Sequence, residues 1–479
     1  MDNSNSSNNQ QFESVRNSIL TDASNYGSQN QLINGFERNQ DRNLNNTTQN
    51  NESNQGENKH GLSIFQAAIF VVGEMAGSGV LALPKAIVET GWIGLILVVI
   101  LCFNAGFGGT CLGACWDIIE ERFPEHRGRT RNPYATIANR AIGRWGSVLV
   151  SGCVQFTLFG ASTVYLLLAS QIIQDLFTPY FPNITFCTWF LIIAITLTIP
   201  MWLGSPKDFN FVGIGAILST AFACVFIFTQ IVMDGLNDTV DPVKHTPHTF
   251  HDFFMAFGII LFSFGGASTF PTIQNDMINK KDFQKSIVIA FSIILALYLP
   301  VTAGGYFVYG DDVHPNIILS LSDSGLVTLA NLCMAFHLIF AFLIVINPVC
   351  QELEEIFQVP HEYSIKRCVL RTFMIIVMIF IGETIPEFGK ILSLVGGSTV
   401  TLLTFVFPCF FYLKLCSQND SAQPSIEWWP QRFIPLHVKV YLWELIIIGL
   451  IGGVVATYSA LLSIISHDSM STSCWASFF

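Results

Sequence analysis

From Gly61 onward the chain is a succession of apolar runs, each about as long as a membrane is thick. A bilayer core of about 30 Å needs roughly 20 apolar residues of helix to cross it. The sequence offers eleven such runs, at 62–88, 93–117, 147–174, 186–203, 209–233, 251–272, 286–309, 326–349, 368–385, 389–414 and 438–464. In hydrocarbon the backbone must satisfy its own N–H and C=O groups, which a helix does within one segment. The expected fold class is therefore an all-α membrane protein with eleven transmembrane helices. Charge agrees: 12% of the 479 residues are charged, about half the level of soluble domains.

Three segments are expected. Residues 1–60 are rich in Asn, Ser and Gln and nearly devoid of apolar clusters. Such a stretch cannot bury enough surface to offset its ordering entropy, so a disordered tail is predicted. The tail lacks an apolar signal region, leaving the first span to direct insertion. Residues 61–465 form the membrane domain, and 466–479 a short carboxy-terminal tail. If the amino terminus is cytosolic, the loops that fall inside, with their flanks, hold 16 of the 23 Lys and Arg residues. Six lie in one loop: Arg122, Arg127, Arg129, Arg131, Arg140 and Arg144. The outer loops hold only Lys244 and Lys390. That asymmetry places the amino terminus inside and the carboxy terminus outside. Sequons at Asn183 and Asn237 then fall outside and are candidate glycosylation sites, although Asn419 carries a sequon on the inner side.

Ten of the spans divide into two sets of five. An odd number per set makes the second set enter the membrane in the opposite direction, as in inverted-repeat transporters whose solute site lies on interrupted helices. The first span carries Gly77-Ser78-Gly79 at its middle, with Pro84 following. The sixth carries Gly265-Gly266-Ala267-Ser268, with Pro271 following. Glycine lets the backbone leave helical geometry, and unwinding frees polar groups that cost several kcal/mol each in lipid unless a solute meets them. An amino acid offers the complement: a carboxylate for N–H groups at a helix start and an ammonium for freed carbonyls. Small residues also serve helix packing; two breaks at matched positions favour the transport reading.

At these residues the sequence resembles the amino acid/auxin permease family, within the amino acid–polyamine–organocation superfamily. The resemblance covers essentially all of 62–465. It is carried by Gly77-Ser78-Gly79-Val80-Leu81-Ala82-Leu83-Pro84-Lys85-Ala86, by Tyr134-Ala135-Thr136-Ile137-Ala138 with Gly143-Arg144-Trp145-Gly146, and by Phe262-Ser263-Phe264-Gly265-Gly266 with Pro271-Thr272-Ile273-Gln274-Asn275-Asp276-Met277. It implies a LeuT-like 5+5 inverted repeat plus one helix, and secondary active transport of amino acids with protons or sodium. It also implies a substrate cradle of Gly77, Ser78, Gly79, Phe264, Gly265, Gly266 and Ala267, with Tyr165 of the third span lining it. One departure bears on the ion. Sodium-coupled relatives use hydroxyls in the eighth span, whereas Leu329 to Leu338 here contain no Ser or Thr, which favours protons or uncoupled exchange.

Ionisable groups inside a membrane are costly and point to function. Glu74, three residues before the first break, is a candidate proton acceptor; a neutral carboxyl bonded to unwound backbone is the plainer alternative. His337 in the eighth span is a second candidate, since imidazole titrates at about 6.5 when unperturbed, although a lone buried His is more often a bonded core residue. Lys85, one turn from Glu89, is expected to snorkel to the headgroups or to pair there. Gln155 is read equally well as a helix–helix contact. The 12 cysteines form no CxxC pair. Cys111 and Cys115 are read as packing residues, and the spacing does not say whether Cys187 and Cys474 pair. No cofactor or metal site is predicted, and no enzyme motif such as HExxH, GxSxG or a P-loop occurs.

The expected function is a secondary active amino acid transporter working by alternating access, with protons as the favoured coupling ion. Its partners would be the amino acid, a proton and membrane lipid, with a monomer as the functional unit and no nucleic acid. An uncoupled facilitator or exchanger and a substrate-sensing transporter signalling through the tail are the alternatives. A passive channel is a weaker one, because no repeated pore loop appears. The sequence leaves the substrate open, as well as the choice between plasma and endolysosomal membrane.

Overall fold

The apolar runs are helical, two of them with an interruption, in the computed structural model, which describes residues 61–128, 130–203, 209–236, 243–246, 248–360, 363–418, 432–466 and 474. The expected tail at 1–60, Arg129, Asn237, Asn419 and most of 466–479 lie outside the described residues. In chain order the helices are α1 (Ile64–Met75), α2 (Ser78–Thr90), α3 (Ile93–Arg122), α4 (Pro133–Ile142), α5 (Arg144–Phe177), α6 (Phe186–Leu203) and α7 (Phe209–Leu236). They continue with α8 (Phe250–Ser263), α9 (Phe270–Asn275), α10 (Phe283–Tyr309), α11 (Gly325–Ile356), α12 (Ile365–Thr384), α13 (Phe388–Ser417) and α14 (Leu436–Ile465). Among the described residues eight helices are long and apolar enough to cross a membrane, or nine when α1 and α2 count as one bent span. The remaining two of the eleven expected spans fall short by that measure. α8 has 14 residues before it stops, and α12 opens with Lys366, Arg367 and Arg371.

Local signals set the ends. Ser63 caps α1 in a reciprocal capping box with Gln66, and Thr249 caps α8 the same way with Asp252, each satisfying orphan N–H groups of the first turn. Pro133 opens α4 and Gly143, at φ +87°, closes it, in keeping with proline at helix starts and glycine past helix ends. Inside α13 the hydrogen bonding turns π-helical over Gly396–Val400 and Leu402–Val406.

α11 packs along α5 and α7, and α2 packs along α8. A buried ion cluster ties the end of α11 to α12: Glu354 Oε1 accepts from Arg371 at 2.6 Å and from Arg367 at 3.1 Å, while Arg371 also donates to the Met201 carbonyl of α6 at 2.6 Å. The start of the first span meets the end of the sixth, where Leu62 N–H donates to the Asp276 carbonyl at 2.9 Å and Ile278 N–H to that of Leu62 at 3.0 Å. Cys187, at the start of α6, is disulfide-bonded to Cys474 beyond α14, the pairing that sequence spacing left open. Asn183 is exposed in the turn just before Cys187, and so lies at that same end of the bundle. Cys111 and Cys115 are buried and free.

Candidate functional site

The two predicted interruptions are real breaks and they touch. α1 and α2 meet at an angle of 57°, with Gly77 at φ −165° and ψ −115°, outside helical geometry. The sixth span stops at Ser263, and Phe264 to Thr269 run through turns closed by Gly265 N–H to the Phe262 carbonyl at 2.8 Å and Thr269 N–H to that of Gly266 at 3.2 Å. Pro271 then occupies the first turn of α9. Proline there restarts a helix rather than ending one, which is why the sixth span extends to Asn275 and not to the expected 272. A Cβ on Gly79 would sit 3.1 Å from the Ser263 backbone, and one on Gly266 would sit 2.6 Å from Met75 Cγ. The glycines therefore permit backbone approach as well as unwinding.

One tyrosine that sequence reasoning missed joins both breaks. Tyr298 of α10, fully buried, donates its hydroxyl to the Met75 carbonyl at 2.7 Å, and its ring lies 6.0 Å from that of Phe264. An aromatic hydroxyl within an apolar run (Leu297-Tyr298-Leu299) is the signal that could have found it, because a buried hydroxyl must bond to something.

The predicted cradle residues lie at these breaks, and Gly77, Ser78, Gly79, Phe264, Gly266, Ala267 and Tyr165 are buried while Gly265 is half-buried. Tyr165 and His337 both face Gly77: a Cβ there would lie 3.6 Å from Tyr165 Cε1 and 2.9 Å from His337 Nε2. His337 Nδ1 is 3.0 Å from the Ala216 carbonyl of α7. Ser78 Oγ and His337 Nε2 are buried with no hydrogen-bond partner. Beside the sixth-span break, a Cβ on Gly265 would meet Val400 in the first π-helical stretch of α13.

A cavity approaches the breaks from each end of the bundle. That on the amino-terminal side has a volume of about 360 Å³ and is lined by Glu74, Tyr134, Gln155, Ser268 and Thr269, with Arg131 and Glu352 toward its mouth. Glu74 is half-buried in its wall. Gln155, read from sequence equally as a helix contact, faces this space with its Oε1 unpartnered. Arg131 pairs with Glu355 and Asn132 with Glu352, linking the α3–α4 segment to the end of α11. The cavity on the opposite side measures about 290 Å³ and is lined by Lys85, Glu89, Gln171, Glu387 and Lys390. Lys85 lines this cavity together with Glu89, the partner expected one turn away, and Lys390, counted with the outer-loop cations, is buried and bonded to Glu387 at 2.9 Å. Gly77, Ser78 and Gly79 line neither cavity. A larger apolar groove of about 600 Å³ between α3 and α10, lined by Phe103, Phe291 and Leu295 among others, lies away from the breaks.

A bundle of apolar helices, with broken helices in contact and a cavity on each side, defines a membrane transporter. The sequence comparison makes this specific: residues 60–456 match the family model of the transmembrane amino acid transporter proteins, and the chain belongs to that family. It is a family of transporters, not of enzymes. Similar proteins include two from Arabidopsis thaliana: amino acid transporter AVT1B, 24% identical over 420 residues covering 84% of this chain and 71% of that protein, and amino acid transporter AVT1I, 22% identical and covering 87% and 98%. Among solved structures, an Eremococcus coleocola manganese transporter mutant aligns with a TM-score of 0.55 at 14% identity, covering 87% of this chain and 90% of that one. MhsT in complex with L-phenylalanine aligns with a TM-score of 0.54 at 13% identity, covering 84% and 99%. At such identities these likenesses establish the fold alone.

Proposed function

We propose that the protein is a proton-coupled amino acid transporter that works by alternating access, with the substrate held between the breaks at Gly77–Gly79 and Phe264–Ala267 and lined by Tyr165. The contact between the two breaks supports this reading, together with the two cavities that approach them from opposite ends, one of which is lined by Ser268 and Thr269 of the sixth-span break. In this reading the membrane domain, 61–465, has eleven spans in a five-plus-five inverted repeat with one further helix. The charged α12 then counts as a span because Glu354 of α11 pairs with its Arg367 and Arg371, and α8 and α9 count together as one interrupted span. The 1–60 tail is cytosolic, 466–479 is extracellular or lumenal, the unit is a monomer, and Asn183 and Asn237 are available for glycosylation.

The observation that carries proton coupling is the placement of Glu74. A coupling proton must exchange with solution, and Glu74 lines the cavity on the amino-terminal side one helical turn from Gly77. His337 lines neither cavity, which makes Glu74 the better carrier of the two candidates. The test is uptake into reconstituted vesicles with and without a pH gradient, comparing wild type with Glu74→Gln. A gradient should drive accumulation by wild type, and the variant should lose that response while still exchanging amino acid. Accumulation by the variant with an unchanged pH response would exclude Glu74. Uptake by wild type that ignores the gradient would point to the uncoupled exchanger instead.

A further inference from the structure

We propose that His337 Nε2 is the acceptor that binds the α-ammonium group of the transported amino acid. The inference rests on the reading of the breaks as the amino acid site and adds to it a side chain and a role. His337 is 1% exposed. Its Nδ1 lies 3.0 Å from the Ala216 carbonyl. A carbonyl can only accept, so Nδ1 carries the proton, and the neutral ring is left with a bare lone pair on Nε2. That lone pair has no partner. A buried acceptor left unmet costs free energy that a bound donor would recover.

The position of Nε2 gives the donor its chemistry. Nε2 lies 2.9 Å from where a Cβ on Gly77 would stand, so it faces the interrupted backbone of the first span. Glycine there lets Nε2 come so near the interrupted backbone that a Cβ would already crowd it. Among the described residues no carboxylate is bonded to His337, so nothing holds the ring as an imidazolium that would repel a cation. An ammonium brings three N–H donors. One can meet Nε2, leaving the others for carbonyls freed at the breaks. A carboxylate would gain nothing from this lone pair and suits instead the N–H groups that open α2. The two ends of an amino acid are thereby distinguished by two sides of one break.

The test uses reconstituted vesicles of the full chain and the proteinogenic amino acid that wild type takes up fastest. The KM for that amino acid is compared with the concentration of its des-amino carboxylic acid that halves uptake. His337→Asn keeps a donor for the Ala216 carbonyl but places no atom at the Nε2 position. It should raise KM by about 10- to 150-fold, the loss of one hydrogen bond to a charged group, and leave inhibition by the des-amino acid within about twofold. His337→Gln, whose amide oxygen reaches the Nε2 position, should recover part of the affinity even if His337→Asn folds poorly. An unchanged KM in His337→Asn, a parallel rise in both constants, or no recovery in His337→Gln would overturn the proposal. Absence of amino acid uptake by wild type would overturn the site reading beneath it, a distinct outcome.

Discussion

Adding one methyl group at Gly77 tests whether the first break is a shaped site or an accident of packing. In Gly77→Ala the new carbon would stand 2.9 Å from His337 Nε2 and 3.6 Å from Tyr165 Cε1. Carbon contacts are comfortable from about 3.5 Å, so the imidazole must retreat by about 0.6 Å. Nδ1 and Nε2 point to nearly opposite sides of the ring, so the retreat would press Nδ1 against the Ala216 carbonyl, now 3.0 Å away, and the ring must turn out of that hydrogen bond to make room. Losing that bond costs about 1 kcal/mol and crowding a packed interior costs about 1–3 kcal/mol. The sum, about 2–4 kcal/mol, corresponds to a loss of roughly 30- to 1,000-fold in initial uptake by reconstituted vesicles. Gly152→Ala on α5, where a Cβ meets nothing within 4 Å, is the control and should be silent. In a His337→Ala background the Gly77→Ala penalty should shrink, because the two act through one contact. Uptake by Gly77→Ala within threefold of wild type, with normal expression, would refute the reasoning.

Other expectations follow from particular contacts. Tyr298→Phe removes the donor to the Met75 carbonyl and leaves it buried without that partner, at about 1–3 kcal/mol; uptake should fall about 5- to 150-fold with little change in the amount of folded protein. Glu354→Gln leaves Arg367 and Arg371 without their carboxylate, and breaking a buried ion pair costs about 3–5 kcal/mol. The midpoint of thermal unfolding in detergent should drop by several degrees, whatever the substrate. Cys187 and Cys474 should react with a membrane-impermeant maleimide only after reduction, and only from the face opposite the amino terminus; labelling from the amino-terminal face would reverse the assigned topology.

Most of the spans and both breaks were legible because run length and Gly/Pro punctuation are local properties of the sequence. Helix α4 sat inside a predicted loop, although Pro133 and Gly143 marked its two ends. What could not be read was long-range. Tyr298 lies 223 residues from the Met75 carbonyl that it holds, and Cys187 is separated by 287 residues from Cys474. Nothing in either neighbourhood names the partner. For Lys85 the sequence named Glu89 as a partner one turn away, and the packing of α2 against its neighbours adds what it could not name, a cavity that Glu387 and Lys390 also line. The fit of His337 against Gly77 likewise depends on how α11 crosses the break, which no periodicity encodes.

The central claim, that an amino acid lies between the two breaks, is tested most directly by substrate protection. Ser78→Cys and Ala267→Cys place one thiol in each break, and their modification by a small methanethiosulfonate reagent can be timed with and without saturating transported amino acid. The expected result is that the amino acid slows modification at both positions while leaving a Gly152→Cys thiol on the exposed face of α5 unaffected. Equal rates with and without the amino acid at both breaks, in variants that still transport it, would contradict the account.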